Sequence, residues 1–331
     1  MPNSFPDPPV ASTLLGLGLL SGELNRSILK ALAVRPMTRN DLKGWLVLKS
    51  GSSLHRQLAE LQDLGLVEKN DVPDAPRHVE YRLTPAGEAL VEVVELTEVW
   101  LGVNPERPWE PVSPLAWRAV EALAEAWRST LLHRLAAVDR SQPEQLEAVA
   151  AHLGGQQLEG ELQRLLGAGL LEQVGGDRND GAYALSSWCR RGIGPLAAAG
   201  RWERDHVRER TKAISVHDAV AALLMTLPLV RLQSTTSGTC VYAIELGPEA
   251  GSGPRAGVAW IEFAAGTPKA RGAGKAPGAP DAWVRGDLDA WLAAVIDRRP
   301  SALQVGGDAK LACDALHAVH EELFQLEPLH Q

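Results

Sequence analysis

The first third of the chain carries apolar residues at helical spacing, separated by residues that begin or end helices. One amphipathic helix is predicted by a stripe of four apolar residues, Leu24, Ile28, Leu29 and Leu32. It must end before Pro36, and Thr38 is a suitable N-cap for a short second helix. A third helix is expected to begin at Ser50 or Ser52 and to end at Gly65. Its buried stripe is Leu54, Leu58 and Leu61.

Two short strands and a long helix are predicted next. Residues 66–70 and 79–84 are typical of strands, and the Pro- and Asp-rich residues 71–78 between them are typical of an exposed hairpin tip. Thr84 and Pro85 then begin a long helix. Three helices, a strand, a loop, a strand and a helix follow one another in the order of a winged helix.

The same pattern recurs further along the chain. The third-helix run that begins at Leu54 recurs at Leu158, 104 residues later, and the strand that begins at Tyr81 recurs at Tyr183, 102 residues later. Self-similarity at nearly equal offsets indicates a repeated structural unit. The sequence therefore predicts two copies of one unit, residues 22–100 and 113–205.

The last third has a different pattern, which predicts an α+β unit. Residues 214–230 are typical of an amphipathic helix, and residues 239–247 and 256–266 are typical of strands. The Gly-, Ala- and Pro-rich residues 266–281 are expected to form a flexible loop. A strand and helix, then a strand, a turn and a final helix, complete the unit over residues 283–324.

The first unit resembles a known group of bacterial transcription regulators. The runs NRSILKALAVRPMTRNDLKGWL, LHRQLAELQDLGLVEK and EYRLTPAGEAL are similar to the HxlR-type winged-helix regulators, and EYRLTPAG is the most specific of these pieces. The resemblance covers residues 22–100 well and the second copy less well. It implies a winged-helix fold, DNA binding and dimerisation through the helices that flank the winged unit.

The C-terminal unit resembles the end of sterol-carrier-protein-type domains in two short runs, WVRGDLDAWLAAVIDRRPSALQVGGD and LACDALHAVHEELF. Such domains bury an elongated apolar ligand between sheet and helices. A chain of 331 residues is too long for one ordinary core. We therefore expect a multidomain fold with two tandem winged-helix domains, mainly α with a β-hairpin wing, and one α+β sterol-carrier-like domain. The expected boundaries are 1–105, 106–209 and 210–331.

Charge distribution favours the first unit as the DNA-binding one. The net charge of −8 argues against a chain that coats nucleic acid along its whole length, but seven basic residues and one acidic residue lie between Arg26 and Arg56. Cations release counterions from DNA, and helix N-termini donate to phosphates. A serine-rich helix start is also often only a cap, and scattered cations are often a solvated surface. The residues expected to contact DNA are Arg39, Lys43, Lys49, Ser50, Ser52, Ser53, His55 and Arg56, with Arg77 and His78 in the wing.

The second copy lacks this charge pattern. Its third helix has Glu159 and Glu161 where the first has His55 and Gln57, and a face of that charge repels phosphate. We expect an architectural unit that braces the first, contributes to a dimer or forms a ligand wall. In the alternative, it supplies auxiliary phosphate contacts from Arg178, Arg190 and Arg191.

The aromatic composition points to a ligand pocket in the C-terminal unit. The chain has ten Trp but only three Phe and three Tyr, and aromatic side chains often line pockets for hydrophobic small molecules. Any single Trp is more often a core residue. The pocket predicted here is lined by Trp260, Trp283 and Trp291 and coupled through the second unit to the first. The rival interpretation is a purely structural or dimerising unit.

Other chemistry finds little support. The three cysteines are far apart and lack metal-ligand spacing, which favours the reducing cytoplasm over a disulfide framework. Leu14–Leu20 is too short for a signal peptide or a membrane span. His317, His320 and Glu321 have helical spacing but no third matching site. No nucleophile or phosphate-loop motif occurs, so no enzymatic activity, metal or cofactor is expected.

Two function classes remain. The first is a cytoplasmic, DNA-binding transcriptional regulator, with repression favoured, that binds an inverted-repeat operator as a homodimer and takes a hydrophobic small molecule as effector. The alternative is a ligand-carrier or interaction protein that does not bind DNA and uses winged-helix units as a scaffold.

Overall fold

The structure is a computed structural model of the chain. It describes residues 15–47, 52–71, 79–104, 114–138, 140–142, 146, 155–175, 181–207, 214–245, 256–299 and 302–324.

Residues 15–104 form a winged helix preceded by a short helix. In chain order the elements are α1 (Leu15–Ser21), α2 (Glu23–Val34), β1 (Met37–Thr38), α3 (Arg39–Trp45), α4 (Ser52–Asp63), β2 (Val67–Asp71), β3 (Val79–Leu83) and α5 (Pro85–Gly102). The three strands form an antiparallel sheet in the order β1-β3-β2, with Met37 opposite Tyr81 and Val67 opposite Leu83. The predicted order of helices and strands is confirmed, and α1 and the two-residue strand β1 are additional to it.

Local interactions set the ends of these helices. Thr38 forms a capping box with Asp41 at the start of α3. Thr84 accepts a hydrogen bond of 3.2 Å from the backbone of α5, and Pro85 is the first residue of that helix. Gly65 follows α4 with φ +70°, a left-handed conformation that glycine adopts without steric cost. The predicted caps at Thr38, Thr84 and Gly65 are confirmed.

Among the described residues between 114 and 206, seven further elements have defined ends. They are α6 (Pro114–Arg128), α7 (Leu131–Ala136), α8 (Gly155–Gly167), β4 (Leu171–Val174), β5 (Ala182–Leu185), α9 (Ser187–Arg191) and α10 (Ile193–His206). Strands β4 and β5 form an antiparallel pair. Where the first unit has the single long helix α5, this segment has two helices, α9 and α10.

Helix α8 and the hairpin after it repeat the local bonding of the first unit. Gly169 has φ +75° after α8, as Gly65 has after α4. Ser186 Oγ donates to the carbonyl of Gly169 at 2.8 Å, as Thr84 Oγ1 donates to that of Gly65 at 2.6 Å. Both hydroxyls also cap the helix that follows the hairpin. In both segments, therefore, the residue that follows the hairpin bonds to the glycine that follows the preceding helix, α4 or α8.

The C-terminal segment is a mixed sheet covered by helices on one face. Its elements are α11 (Val216–Thr226), β6 (Gly238–Glu245), β7 (Ala256–Ala264), β8 (Thr267–Ala273), β9 (Ala282–Asp287), α12 (Leu288–Val295), β10 (Gln304–Gly307) and α13 (Ala309–Phe324). The strand order is β10-β9-β6-β7-β8, in which β6 and β9 are parallel and the other pairs antiparallel. Cys240, Tyr242 and Ile244 are buried on one face of β6, and Tyr242 packs edge-on against Trp291 of α12. The α+β pattern predicted for this segment is confirmed.

The predicted flexible loop over residues 266–281 is wrong in its first half. Thr267–Ala273 is an edge strand that pairs with β7 through a register shift at Glu262 and Phe263. Gly266 makes the tight turn with φ +74°. An edge strand tolerates Pro268 because one side of it needs no ladder hydrogen bonds. Pairing with β7 therefore orders a segment whose composition is typical of a loop.

The three segments share one contiguous core. Trp100 of α5 and Trp188 of α9 stack with ring centroids 4.5 Å apart, and each indole N–H donates to the other residue's carbonyl at 2.9 Å. Trp202 of α10 donates to the carbonyl of Ala86 at 2.8 Å. These contacts fix the long helix of the winged unit against the middle segment.

Candidate nucleic-acid interface and internal cavity

Helices α3 and α4 present polar residues to solvent on the side opposite their buried leucines. Leu42, Leu54, Leu58 and Leu61 are buried. On the exposed side lie Arg39 and Lys43 of α3 and His55 and Arg56 of α4, and Ser53 is half-buried. The packing of α4 therefore leaves its cationic N-terminal half free to approach a nucleic acid.

Five of the residues expected to contact DNA are incompletely described or undescribed by the structure. Ser52 is the first residue of α4. Lys49, Ser50, Arg77 and His78 lie outside the described residues.

Two of the seven cations between Arg26 and Arg56 already have partners within the protein: Arg26 is buried, and Lys30 is exposed but ion-paired. Arg26 is buried, donates to the carbonyls of Leu20 and Ser21 at 2.5 and 2.8 Å, and lies 3.8 Å from the ring centroid of Trp117. Burial lowers the pKa of Arg26. Lys30 pairs with Glu98 at 2.7 Å. The predicted cationic face is therefore corrected, because Arg26 is a packing residue that holds the end of α1.

The corresponding helix of the middle segment has a different surface. Glu159 is exposed on α8, and Arg164 pairs there with Glu161 and Glu125. The helix that corresponds to α4 therefore exposes an acid, Glu159, where α4 exposes His55.

The alternative of auxiliary phosphate contacts from the middle segment is not supported by its arginines. Arg190 is buried and donates to the carbonyl of Leu224 in α11 at 3.3 Å, and Arg191 lies 3.4 Å from Glu322 of α13. Both therefore attach the middle segment to the C-terminal one. Arg178 lies outside the described residues.

A cavity of about 80 Å³ lies between the middle and C-terminal segments. Most of its wall is apolar. Its lining includes Trp127 of α6, Ile193, Leu196, Gly200 and Glu203 of α10, Asp218, Ala219, Ala222, Leu223 and Thr226 of α11, Trp291, Leu292 and Val295 of α12, and Val319 and Leu323 of α13.

Glu203 is the buried acid on the α10 wall. Glu203 is 3 % exposed, and its Oε1 accepts a hydrogen bond from the backbone N–H of Gly16 at 3.0 Å. Burial raises the pKa of Glu203 to about 7, although hydrogen bonds from the N–H groups of Gly16 and Leu15 oppose the shift. The carboxyl group therefore connects the cavity to the beginning of α1.

Asp218 is the second acid of the wall. It caps α11 through the backbone N–H and hydroxyl of Ser215, and its Oδ1 lies 3.2 Å from Nε2 of His133. Burial would raise the pKa of Asp218, but the contacts with His133 and Ser215 lower it overall. His133 in turn packs edge-on against Trp127, with ring centroids 4.4 Å apart.

The three tryptophans predicted to line one pocket do not lie together. Trp291 lines the cavity and donates from its indole N–H to the carbonyl of Ala243 at 2.9 Å. Val241 of β6 is paired with Trp260 of β7 on one side and with Trp283 of β9 on the other. These side chains form a row on the face of the sheet opposite to Tyr242. The prediction is corrected for these two residues because the alternation of side chains along a strand places them away from the helices.

Two acids and one tryptophan of the cavity were missed by sequence reasoning. The signal for Asp218 is its position three residues after Ser215, which is a capping-box spacing. The signal for Glu203 is a lone acid one turn after Gly200 in an otherwise apolar helix face. Trp127 carries no local signal, since only the contact between distant helices makes it part of a wall.

Metal binding and membrane insertion find no support in the described part of the chain. No group of three or more His, Cys, Asp and Glu side chains there is placed to hold a metal ion. His317 pairs with Glu321 at 2.9 Å, while the ring of His320 is directed to the carbonyl of Val295. Among the described helices, none has the length and apolar character needed to span a bilayer.

Two successive helices, α3 and α4, followed by a small antiparallel sheet and carrying exposed cations on the second helix, are typical of a helix-turn-helix unit with a wing. Residues 19–107 match the model of the HxlR-like helix-turn-helix family. The predicted similarity of the first unit to these regulators is confirmed over that segment.

Comparisons with whole proteins add little. No curated protein matches the chain. Among solved structures, a similar chain is a conserved hypothetical protein of Thermus thermophilus, described as possibly a sterol carrier protein. It is 19 % identical, the match covers 28 % of this chain and 69 % of that chain, and the TM-score is 0.23. At that TM-score the likeness carries no conclusion about the C-terminal segment.

Proposed function

We propose that the protein is a DNA-binding transcriptional regulator, with repression the favoured mode. The observation that carries the proposal is the match of residues 19–107 to the HxlR-like helix-turn-helix family. The exposure of Arg39, Lys43, His55 and Arg56 on α3 and α4 supports it. Helix α4 would enter the major groove, where Arg56 can pair with guanine. Ser52, Ser53 and His55 would face the same groove. Lys49 and Ser50 would approach the phosphates near the start of that helix, and Arg77 and His78 in the wing would reach the adjacent backbone.

We infer that the middle segment is a second winged-helix unit that has lost DNA binding. Ser186 bonds to Gly169 in the middle segment as Thr84 bonds to Gly65 in the first. This repeated hydrogen bond supports a common origin of the two units. The acidic surface of α8 and the internal roles of Arg190 and Arg191 support a bracing role. The proposed domains are residues 1–105, 106–209 and 210–331.

The cavity is the proposed effector site, and α1 is the proposed connection to the DNA-binding unit. Glu203, in the cavity wall, accepts a hydrogen bond from Gly16 at the start of α1. At the other end of α1, Arg26 of α2 donates to the carbonyls of Leu20 and Ser21. A ligand that displaces the Gly16 N–H from Glu203 would loosen α1. The hydrogen bonds by which Arg26 joins α2 to the end of α1 would then change as well.

The proposed assembly is a homodimer on an inverted-repeat operator. Two-fold symmetry of a regulator is commonly mirrored in the half-sites of its DNA. Two copies of α4, one from each protomer, would then occupy successive major grooves.

DNA binding is tested by fluorescence anisotropy with the chain's own promoter fragment at two salt concentrations. Affinity is expected to fall steeply with salt, and Arg56→Ala is expected to weaken promoter binding by about 1 to 3 kcal/mol, the worth of one base contact. Lys275→Ala, which removes an exposed cation of the C-terminal segment, serves as the matched control and should leave the affinity unchanged. Absence of promoter binding, or equal effects of the two substitutions, refutes the proposed interface.

The cavity also favours a second candidate function, that of a ligand carrier whose winged units are scaffolds. A carrier would bind a hydrophobic small molecule and show no promoter binding. The anisotropy experiment therefore separates the two functions.

A further inference from the structure

The charge of the cavity wall restricts the ligands that it can accept. The charged residues that line it, Glu203 and Asp218, are both acidic, and no Lys, Arg or His of the described chain is among the lining residues. Thr226 adds a hydroxyl that already donates to the carbonyl of Ala222 at 2.8 Å. An anionic ligand would lose its hydration and find no cation in this wall. The wall therefore disfavours carboxylates such as fatty acids.

Asp218 is already occupied by protein partners. One carboxylate oxygen accepts from the backbone N–H and the hydroxyl of Ser215, both at 2.7 Å, and the other lies 3.2 Å from the ring of His133. A ligand that displaced these partners would uncap α11 and leave His133 without its acid. Asp218 is therefore a structural acid of the wall.

Glu203 is the acid with bonding capacity left. Its Oε1 accepts from the backbone N–H of Gly16 at 3.0 Å, the backbone N–H of Leu15 also donates to the carboxyl group, and within the described chain no side chain pairs with it. A carboxylate can accept about four hydrogen bonds. The residue is 3 % exposed and faces a cavity whose remaining walls are largely apolar. A ligand that donates hydrogen bonds to Glu203 would satisfy a buried group that the protein leaves only partly bonded.

We infer that the cavity binds a small apolar amine whose protonated nitrogen donates to Glu203. The apolar body of the ligand lies against the wall formed by Leu196, Ala222 and Leu223, with Trp127 and Trp291 available for contact with an aromatic ring or a cation. The inference rests on the proposed effector site and specifies its ligand class.

Isothermal titration calorimetry on the full chain tests the inference with three probes that share one aromatic body. They are 2-phenylethylamine, 2-phenylethanol and phenylacetate, which carry a cationic, a neutral and an anionic group. The amine is expected to bind at least about tenfold more tightly than the other two, because a charge-assisted hydrogen bond discriminates by that order. Glu203→Gln is expected to remove the preference for the amine.

Two further variants locate the binding. Asp205→Asn removes an exposed acid of the same helix outside the cavity and should leave the preference unchanged. Ala222→Phe fills the cavity and should abolish binding of all three probes. Circular dichroism checks the folding of each variant, and the three-probe comparison on the unaltered chain decides even where a variant does not fold.

The inference is overturned if 2-phenylethanol or phenylacetate binds as tightly as the amine, if none of the probes binds, or if Glu203→Gln keeps the preference. The titration contains no DNA, so a failure of promoter binding leaves its result unchanged. Amine binding without any change in promoter affinity would refute regulation by the cavity while leaving the ligand class intact.

Discussion

Replacing Glu203 with Gln measures the cost of burying a carboxylate in the cavity wall. Burial raises the pKa of Glu203 from 4.5 to about 7. At 1.36 kcal/mol per pKa unit, a folded chain that must ionise this group loses about 3 kcal/mol of stability. The loss develops as the pH rises from about 4.5 to about 7, because the folded state binds more protons than the unfolded state in that range.

The Gln variant keeps an oxygen that can accept from Gly16 but carries no charge. We therefore expect it to be more stable than the parent chain by about 3 kcal/mol near pH 8 and about equally stable near pH 4.5. Urea unfolding followed by far-UV circular dichroism at the two pH values gives the difference, in which the titration of all other groups cancels. Asp205→Asn is the control and should change stability by about 0.5 kcal/mol or less at either pH.

The reasoning is refuted if Glu203→Gln is less stable than the parent near pH 8, or if the difference between the two proteins is the same at both pH values. Either result would mean that the Glu203 carboxyl group is ionised in the folded chain without a cost of burial.

Substitutions at three further positions test the contacts that hold the winged unit. Thr84→Ala should lower the free energy of unfolding by about 1 kcal/mol, because α5 loses its cap. Thr84→Ser should lower it much less, because serine keeps the capping hydroxyl. Equal losses would contradict a capping role. Arg26→Met should destabilise the chain by about 2 kcal/mol in urea unfolding and leave the salt slope of promoter binding unchanged, because Arg26 bonds to α1; a reduced slope would place it on the DNA. Trp188→Phe should lower the free energy of unfolding by about 1 to 3 kcal/mol, because the carbonyl of Trp100 loses its donor. It should also remove the near-UV circular dichroism signal of the stacked indole pair. An unchanged spectrum would contradict the stacking.

Much of the first unit was predictable because its signals are local. The caps at Thr38 and Thr84 and the helix end at Gly65 depend on residues within four positions of each other. The leucine stripe of α4 depends only on helical periodicity. Strand β8 was not predictable in the same way, because Gly, Pro, Ala and Lys are poor strand formers and only the pairing with β7 orders them.

The candidate site was only partly predictable. Arg39, Lys43 and Arg56 are exposed as the charge pattern suggested, but Arg26, counted with them, is buried under Trp117. A basic residue on an amphipathic helix is exposed in most sequences. Its burial here depends on α1 and α6, which the pattern of α2 does not specify.

By itself, the sequence determined the order of helices and strands, the helix ends and the difference in charge between α4 and α8. Only the tertiary structure decided which cations are free, which face of the sheet each tryptophan occupies and where a cavity forms. Gly16 and Glu203 are 187 residues apart and still share a hydrogen bond, and Trp100 and Trp188, 88 residues apart, bond to each other. The physical reason is that helix caps and periodicity act between near neighbours in the chain, whereas burial and partner choice depend on packing between elements distant in sequence.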